Sequence, residues 1–261
     1  MSAIVVSEGL IHYEAIGRGS PLVFIHGWLG SWRYWMPTME ELSVSHRAYA
    51  FDLWGFGDSD KLRIHYNVNA YVELVRKFLD YLGIWRTVLV GHGLGGVVAL
   101  MFAHQNPERV EQVMGVSVPL VGAAINRSLS GLPGDGEALA RLVARSANFP
   151  EVNLEASKAD MTAITHSVRS AMGCDLRRVL PPLDIPVLLV HGGGDPIIKS
   201  PQPEWLQGCD DNVRVIFLDS AHHFPMLEER SKFNRLLMDF LDAGEDLASL
   251  ELKEEWHRRL R

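Results

Sequence analysis

The chain has little of what marks most alternatives to a packed soluble domain. Only 2 of its 261 residues are cysteine. Cys174 and Cys209 lie far apart and give neither a disulfide framework nor a zinc-ligand spacing, so they read as packing residues in a reducing compartment. Positive charge is in deficit: 25 Lys and Arg against 32 Asp and Glu leave a formal charge of −7, a surface that repels phosphate backbones. Long apolar runs are missing. The longest near-continuous one, Leu94 to Ala103, is about half the roughly 20 residues of a membrane span and predicts a buried helix. The opening MSAIVVSEGL lacks the basic flank, apolar stretch and cleavage site of a secretory signal. The expectation is a cytoplasmic protein with no membrane and no nucleic-acid partner; the oligomeric state is not legible. With 47% hydrophobic and 22% charged residues the composition is that of an ordinary globular chain, which excludes disordered and collagenous classes.

What is present is an alternation of strand-like and helical segments, the pattern of a parallel sheet covered by helices on both faces. Residues 4–6 and 10–16 predict an opening hairpin with its turn at Glu8-Gly9, and core strands follow at 21–27, 46–52, 87–91, 110–118, 186–192 and 213–219. Between 68 and 82, Val68, Tyr71, Val72, Leu74, Val75, Phe78, Leu79 and Leu82 form a wide apolar stripe with a period near 3.6, with Asn67 placed to cap its start and Gly83 its end. Helices are also predicted at 94–105 and 225–242. Residues 121–182 hold no convincing strand, contain the run SGLPGDG at 130–136, and predict a helical cap inserted into a core made of 1–120 and 183–242. Residues 243–261 form a charged tail in which Ala248, Leu252, Trp256 and Leu260 share one helical stripe, predicting a terminal helix docked on its own domain.

VLVGHGLGGVVAL, 88–100, runs from a strand through a Gly-rich turn into a helix. Such a turn holds its apex residue in an unusual backbone conformation, with free N–H donors at the helix start behind it. Here the segment resembles the nucleophile elbow of the α/β-hydrolase superfamily, G-x-S-x-G, with Gly93 at the nucleophile position. The resemblance extends along the chain. FIHGWLGS, 24–31, resembles the family's oxyanion strand end and implies the backbone N–H of Trp28 as one donor and that of Leu94 as the other. DLWGFGDSD, 52–60, is similar to the D-x-x-G-x-G-x-S turn. HGGGDPII, 191–198, places the catalytic acid at Asp195, and AHHFPMLEE, 221–229, places the catalytic base at His223. The order elbow, acid, His is the family order. The resemblance implies an eight-stranded, mostly parallel sheet with a small helical cap. It puts Trp28, Trp32 and His92 near the substrate, gives His26 a loop-bracing role, and has the side chain of His92 pointing away from the apex. Taken alone, Asp195 before Pro196 could simply shape a turn, and either His222 or His223 could be a surface histidine.

Glycine has no atom with which to attack a carbonyl, so covalent acyl-enzyme chemistry is unavailable at residue 93. Three readings follow. The chain is a hydrolase for small apolar carbonyl compounds such as esters, lactones or C–C-cleavage substrates, with its nucleophile replaced and its acyl-transfer activity weak or lost. It is a pseudo-hydrolase that binds such a ligand without turnover. Or it keeps His223 and Asp195 as a general base for water activation or for lyase-like or cofactor-free oxygenase-like chemistry. No cofactor is expected, because the glycines at 91, 93, 95 and 96 lack the G-x-G-x-x-G spacing, and no metal, because the 11 histidines show no ligand spacing.

Overall fold

A computed structural model describes residues 2–6, 9–28, 30–126, 149–247 and 250. Eight strands form one sheet: β1 (Ser2–Val6), β2 (Gly9–Gly17), β3 (Ser20–Ile25), β4 (His46–Phe51), β5 (Thr87–His92), β6 (Val110–Val116), β7 (Val187–Gly192) and β8 (Val213–Leu218), in the order β1-β2-β4-β3-β5-β6-β7-β8. The β1–β2 and β2–β4 pairs are antiparallel and every later pair is parallel. β5 and β7 are buried at every position, which is why they read as unbroken apolar runs rather than as alternation. The hairpin and all six core strands stand where the sequence predicts them; of the predicted turn Glu8-Gly9, Glu8 lies outside the described residues and Gly9 is already the first residue of β2, paired with Val6.

Seven helices are described: α1 (Met36–Leu42), α2 (Val68–Tyr81), α3 (Leu94–Gln105), α4 (Pro150–Ala156), α5 (Met161–Met172), α6 (Pro225–Glu228) and α7 (Arg230–Ala243). The stripe on α2 is its buried face, Asn67 accepts the Ala70 N–H at 3.0 Å, and Gly83 leaves the helix with φ 67°. α3 is apolar all round because the sheet, α2 and α5 pack around it. One expectation is corrected: 225–242 is two helices, not one. Glu229, at φ −121° and ψ 44°, interrupts it, and Glu228 turns back to accept the N–H groups of His222 and Phe224. α1 and the turn of 3₁₀ helix before it, Trp32–Trp35, have no counterpart in the sequence reading.

Within 121–182 the described residues are helical apart from connecting turns and a single bridge between Ile125 and Ile198; residues 127–148, with the 130–136 run, lie outside the described residues. α7 stops at Gly244, φ 57°, and Leu247 and Leu250 beyond it are buried. The rest of the expected terminal helix, including Ala248, Leu252, Trp256 and Leu260, also lies outside them.

The chain runs outward from β3 to β4 and then crosses back to β5, so the ends of β3 and β5 frame a crevice, the usual ligand position in an open parallel sheet. Every motif singled out in the sequence follows the C-terminal end of β3, β4, β5, β7 or β8.

Candidate active site

Gly93 caps β5 and opens α3 with φ 50° and ψ −111°, a conformation that L-residues rarely adopt. The elbow is pinned on both sides. The Gly93 N–H donates to Val116 O at 2.8 Å and its carbonyl accepts from Val97 N at 3.1 Å. Gly95 lets α3 pass over β3, since a Cβ there would collide with the Ile25 carbonyl oxygen. At residue 93 itself a Cβ would find ordinary van der Waals contacts, 3.6 Å to Trp28 Cε3 and 3.8 Å to Gly27 Cα. The apex is a glycine for which space does not demand one.

Asp195 and His223 come together 28 residues apart in sequence, with Nδ1 of the imidazole 2.9 Å from Oδ2 of the carboxylate. Both side chains are 1% exposed. Asp195 also makes the turn its sequence context allows: Oδ1 accepts the N–H groups of Ile197 and Ile198 at 2.8 and 3.0 Å. Burial alone would raise its carboxyl, but His223 and these two N–H groups outweigh it and hold it at about 2. The pair is therefore a carboxylate held against an imidazole, with Nδ1 of His223 taken and Nε2 on the far side of the ring. The neighbouring His222 is exposed and bound to Glu228 instead.

Trp28 lies in a turn closed by Gly30 N–H to Gly27 O at 3.1 Å, and its fully buried indole rests beside Gly93 while Nε1 donates to Ser167 Oγ on α5 at 3.0 Å. Leu94 is the first residue of α3, so its N–H has no intrahelical acceptor. His26 braces the loop, contacting Gly27 O through Nδ1 and receiving Leu53 N–H on Nε2; burial lowers its ring to about 4. His92 is fully buried with both ring nitrogens bonded to protein, Nδ1 to Tyr34 and Nε2 to the His223 carbonyl. Trp32 packs between His12, at 5.7 Å, and the Arg33 guanidinium, at 4.6 Å. Tyr34 and Ser167 touch the site and carry no sequence signal: one sits in an aromatic-rich stretch, the other on a helix of the insertion.

A second polar cluster stands at the end of β4. Asp52 accepts Trp32 N–H and Asp58 N–H, one on each oxygen, and burial raises it to about 7. Asp58 is held by Arg33 at 3.1 Å and Lys158 at 2.9 Å, and both cations also reach the buried Glu155. His12, Asp52 and Asp58 could approach a common ion, but every oxygen of the two aspartates already has a protein donor. The ring of charges binds α4 to the core.

The profile of the α/β hydrolase fold family matches residues 20–156, just over half of the chain, and the chain belongs to that family. Among curated relatives it is 27% identical over 257 residues to the pimeloyl-[acyl-carrier protein] methyl ester esterase of Shewanella woodyi, covering 89% of this chain and 98% of that one. It is also 27% identical over 263 residues to the soluble epoxide hydrolase of a Corynebacterium strain, covering 85% and 90%. Among solved structures, a serine-to-glycine mutant of the N-acyl homoserine lactonase AidH with N-hexanoyl homoserine lactone aligns at a TM-score of 0.79 and 23% identity, over 93% of this chain and 97% of that one. At that identity the likeness is one of fold. The relatives are hydrolases of several bond types, and a hydrolase-like scaffold is what they have in common with this chain. Among the described residues no helix is long and apolar enough to cross a membrane.

Proposed function

We propose that this chain is a weak hydrolase of small apolar carbonyl compounds, esters or lactones, that works without a covalent intermediate. His223 Nε2 removes a proton from water as the water oxygen bonds to the carbonyl carbon. The π electrons move onto the carbonyl oxygen, where the backbone N–H groups of Trp28 and Leu94 receive them. As the tetrahedral species collapses, the acyl–oxygen bond breaks and the leaving oxygen takes the proton back from the imidazolium, whose charge Asp195 stabilises throughout. The described part of the insertion closes over this site through α5, whose Ser167 accepts from Trp28 Nε1, and Trp28 forms its wall beside Gly93. Trp32 stands further out, beside His12 and Arg33.

The observation that carries the reading is the buried 2.9 Å contact of Asp195 with His223. Taking a carboxylate out of water costs several kcal/mol that the pairing barely recovers, so such a pair contributes little to stability and is accounted for by proton transfer. The test is hydrolysis of p-nitrophenyl esters of short acids. The present chain gives slow turnover that His223→Ala abolishes and Asp195→Asn lowers, by less than in an intact triad because the effects of such residues do not add. An unchanged rate in His223→Ala overturns the reading, and thermal stabilisation by the same esters with no product identifies a binder instead.

A further inference from the structure

Beside the proposed machinery, Tyr34 and His92 form a continuous line of hydrogen bonds from one half of the site to the other. Gly27 N–H donates to Tyr34 Oη; the Tyr34 hydroxyl lies 3.1 Å from His92 Nδ1; His92 Nε2 lies 2.8 Å from the His223 carbonyl oxygen. The direction of each proton is determined. Tyr34 Oη accepts from Gly27, so its one hydrogen goes to His92 Nδ1, which must be bare. The ring proton then sits on Nε2, facing a carbonyl that can only accept. Only the neutral Nε2–H form satisfies both ends, and burial together with His223 keeps this ring's affinity for a second proton well below the ordinary histidine value.

Both ends of the line lie one peptide from the chemistry. Gly27 O and Trp28 N–H share a trans peptide and point in opposite directions. Gly27 O is held by His26 Nδ1 at 2.8 Å and Gly30 N at 3.1 Å, and Gly27 N–H by Tyr34, so the aim of the Trp28 N–H is set by these bonds. At the other end the His92 ring lies 4.6 Å from the His223 ring and 5.0 Å from that of Phe224, so His223 rests on it by side chain as well as by backbone.

We infer that Tyr34 and His92 are positioning residues, a rigid strut that couples the orientation of the Trp28 N–H to the placement of the His223 imidazole. Oxyanion donor and base then hold one spacing, which a site lacking an attacking side chain needs in order to present water to a carbonyl. The chemistry served rests on the function proposed above; the strut itself is tested without turnover. Nitrogen NMR of the unsubstituted chain shows His92 bare at Nδ1 and protonated at Nε2; the opposite tautomer overturns the proton order and the proposal with it. In Tyr34→Phe, which removes only the hydroxyl that reaches His92, the ring nitrogen chemical shifts of His223 move, and in His92→Asn, whose side-chain amide keeps a polar atom at the Nδ1 position beside Gly27 and loses the Nε2 bond to the His223 carbonyl, exchange of the Trp28 amide accelerates about five- to tenfold, the loss of one neutral hydrogen bond. A residue that only fills space lowers Tm in these variants and moves neither signal, and that result refutes the strut. Either variant suffices if the other does not fold. Failure of ester turnover with both signals moving refutes the proposed function and leaves the strut standing.

Discussion

Gly93→Ser puts the assignment of the elbow to its most direct test. The new Cβ meets Trp28 Cε3 at 3.6 Å, Trp28 Cζ3 at 3.7 Å and Gly27 Cα at 3.8 Å, so no neighbour has to move. The cost lies in the backbone. A non-glycine residue at φ 50° and ψ −111° carries about 1–3 kcal/mol of strain, against which the stiffer unfolded chain returns about 0.4–1 kcal/mol. The difference, about 0–2.6 kcal/mol, lowers Tm by up to roughly 10 °C in a chain of this size. The rate moves the other way. Deleting a serine nucleophile from a triad costs about 10⁶ in kcat, and a misplacement of about 1 Å forfeits about 10², so a serine on this unadapted elbow gains about 10⁴ over the present chain. The assay is p-nitrophenyl ester hydrolysis with a burst of one equivalent, and mass spectrometry after a serine-directed phosphonate shows the label at residue 93. A folded Gly93→Ser protein whose rate stays within about tenfold of the unsubstituted chain refutes the reasoning, because His223 and the two N–H groups would then not face the apex.

Acid destabilises the fold ahead of most carboxylate titration. Burial holds His26 and His191 at about 4 and His92 well below its ordinary value, so from about pH 6.5 down to about 4 the unfolded chain takes up protons that the folded chain refuses, and stability falls. Asp52, raised to about 7, acts in the opposite sense over about pH 7 to 3.8, so Asp52→Asn steepens the decline; the contribution of Asp195, held at about 2, is lost only between about pH 3.8 and 2. Thermal melts from pH 8 to 4 check this, and a Tm that is flat or rising below pH 6.5 contradicts it. Glu155→Gln removes the charge that Arg33 Nε reaches at 2.9 Å and Lys158 Nζ at 3.1 Å. Because both cations keep about a third of their exposure, the expected cost is about 1–3 kcal/mol, read as a lower urea midpoint at constant m; an unmoved midpoint means that the ring does not hold α4.

The parts of this molecule that could be read from its sequence are those whose physics is local in the chain. The core strands announce themselves because β5 and β7 are buried at every position, β3, β4, β6 and β8 over half or more of theirs, and all are bounded by turn residues; α2 announces itself because its stripe, Asn67 and Gly83 agree. The segments carrying Asp195 and His223 are legible as motifs, each after a strand, and the geometry brings Asp195 to His223 rather than to His222. What stayed hidden depends on encounters across the sheet. Tyr34 meets His92 across 58 residues and His92 meets the His223 carbonyl across 131. Arg33 finds Glu155 across 122, on a segment with no motif. The break at Glu229 follows from Glu228 turning to His222 and Phe224, a choice between two hydrogen-bonding fates that helical periodicity does not record.

The left-handed backbone at Gly93 persists with no side chain to hold it, pinned by Val116 and Val97. Glycine codons ending in a pyrimidine are a single base change from codons for serine, aspartate and cysteine, the attacking residues found on this elbow across the superfamily. Because the turn is already formed and has room for a Cβ, each of those changes would meet a turn already built, with Asp195 and His223 already paired. Residue 93 is in that sense a junction: one residue change would put a hydroxyl, a carboxylate or a thiol on a turn that is already formed.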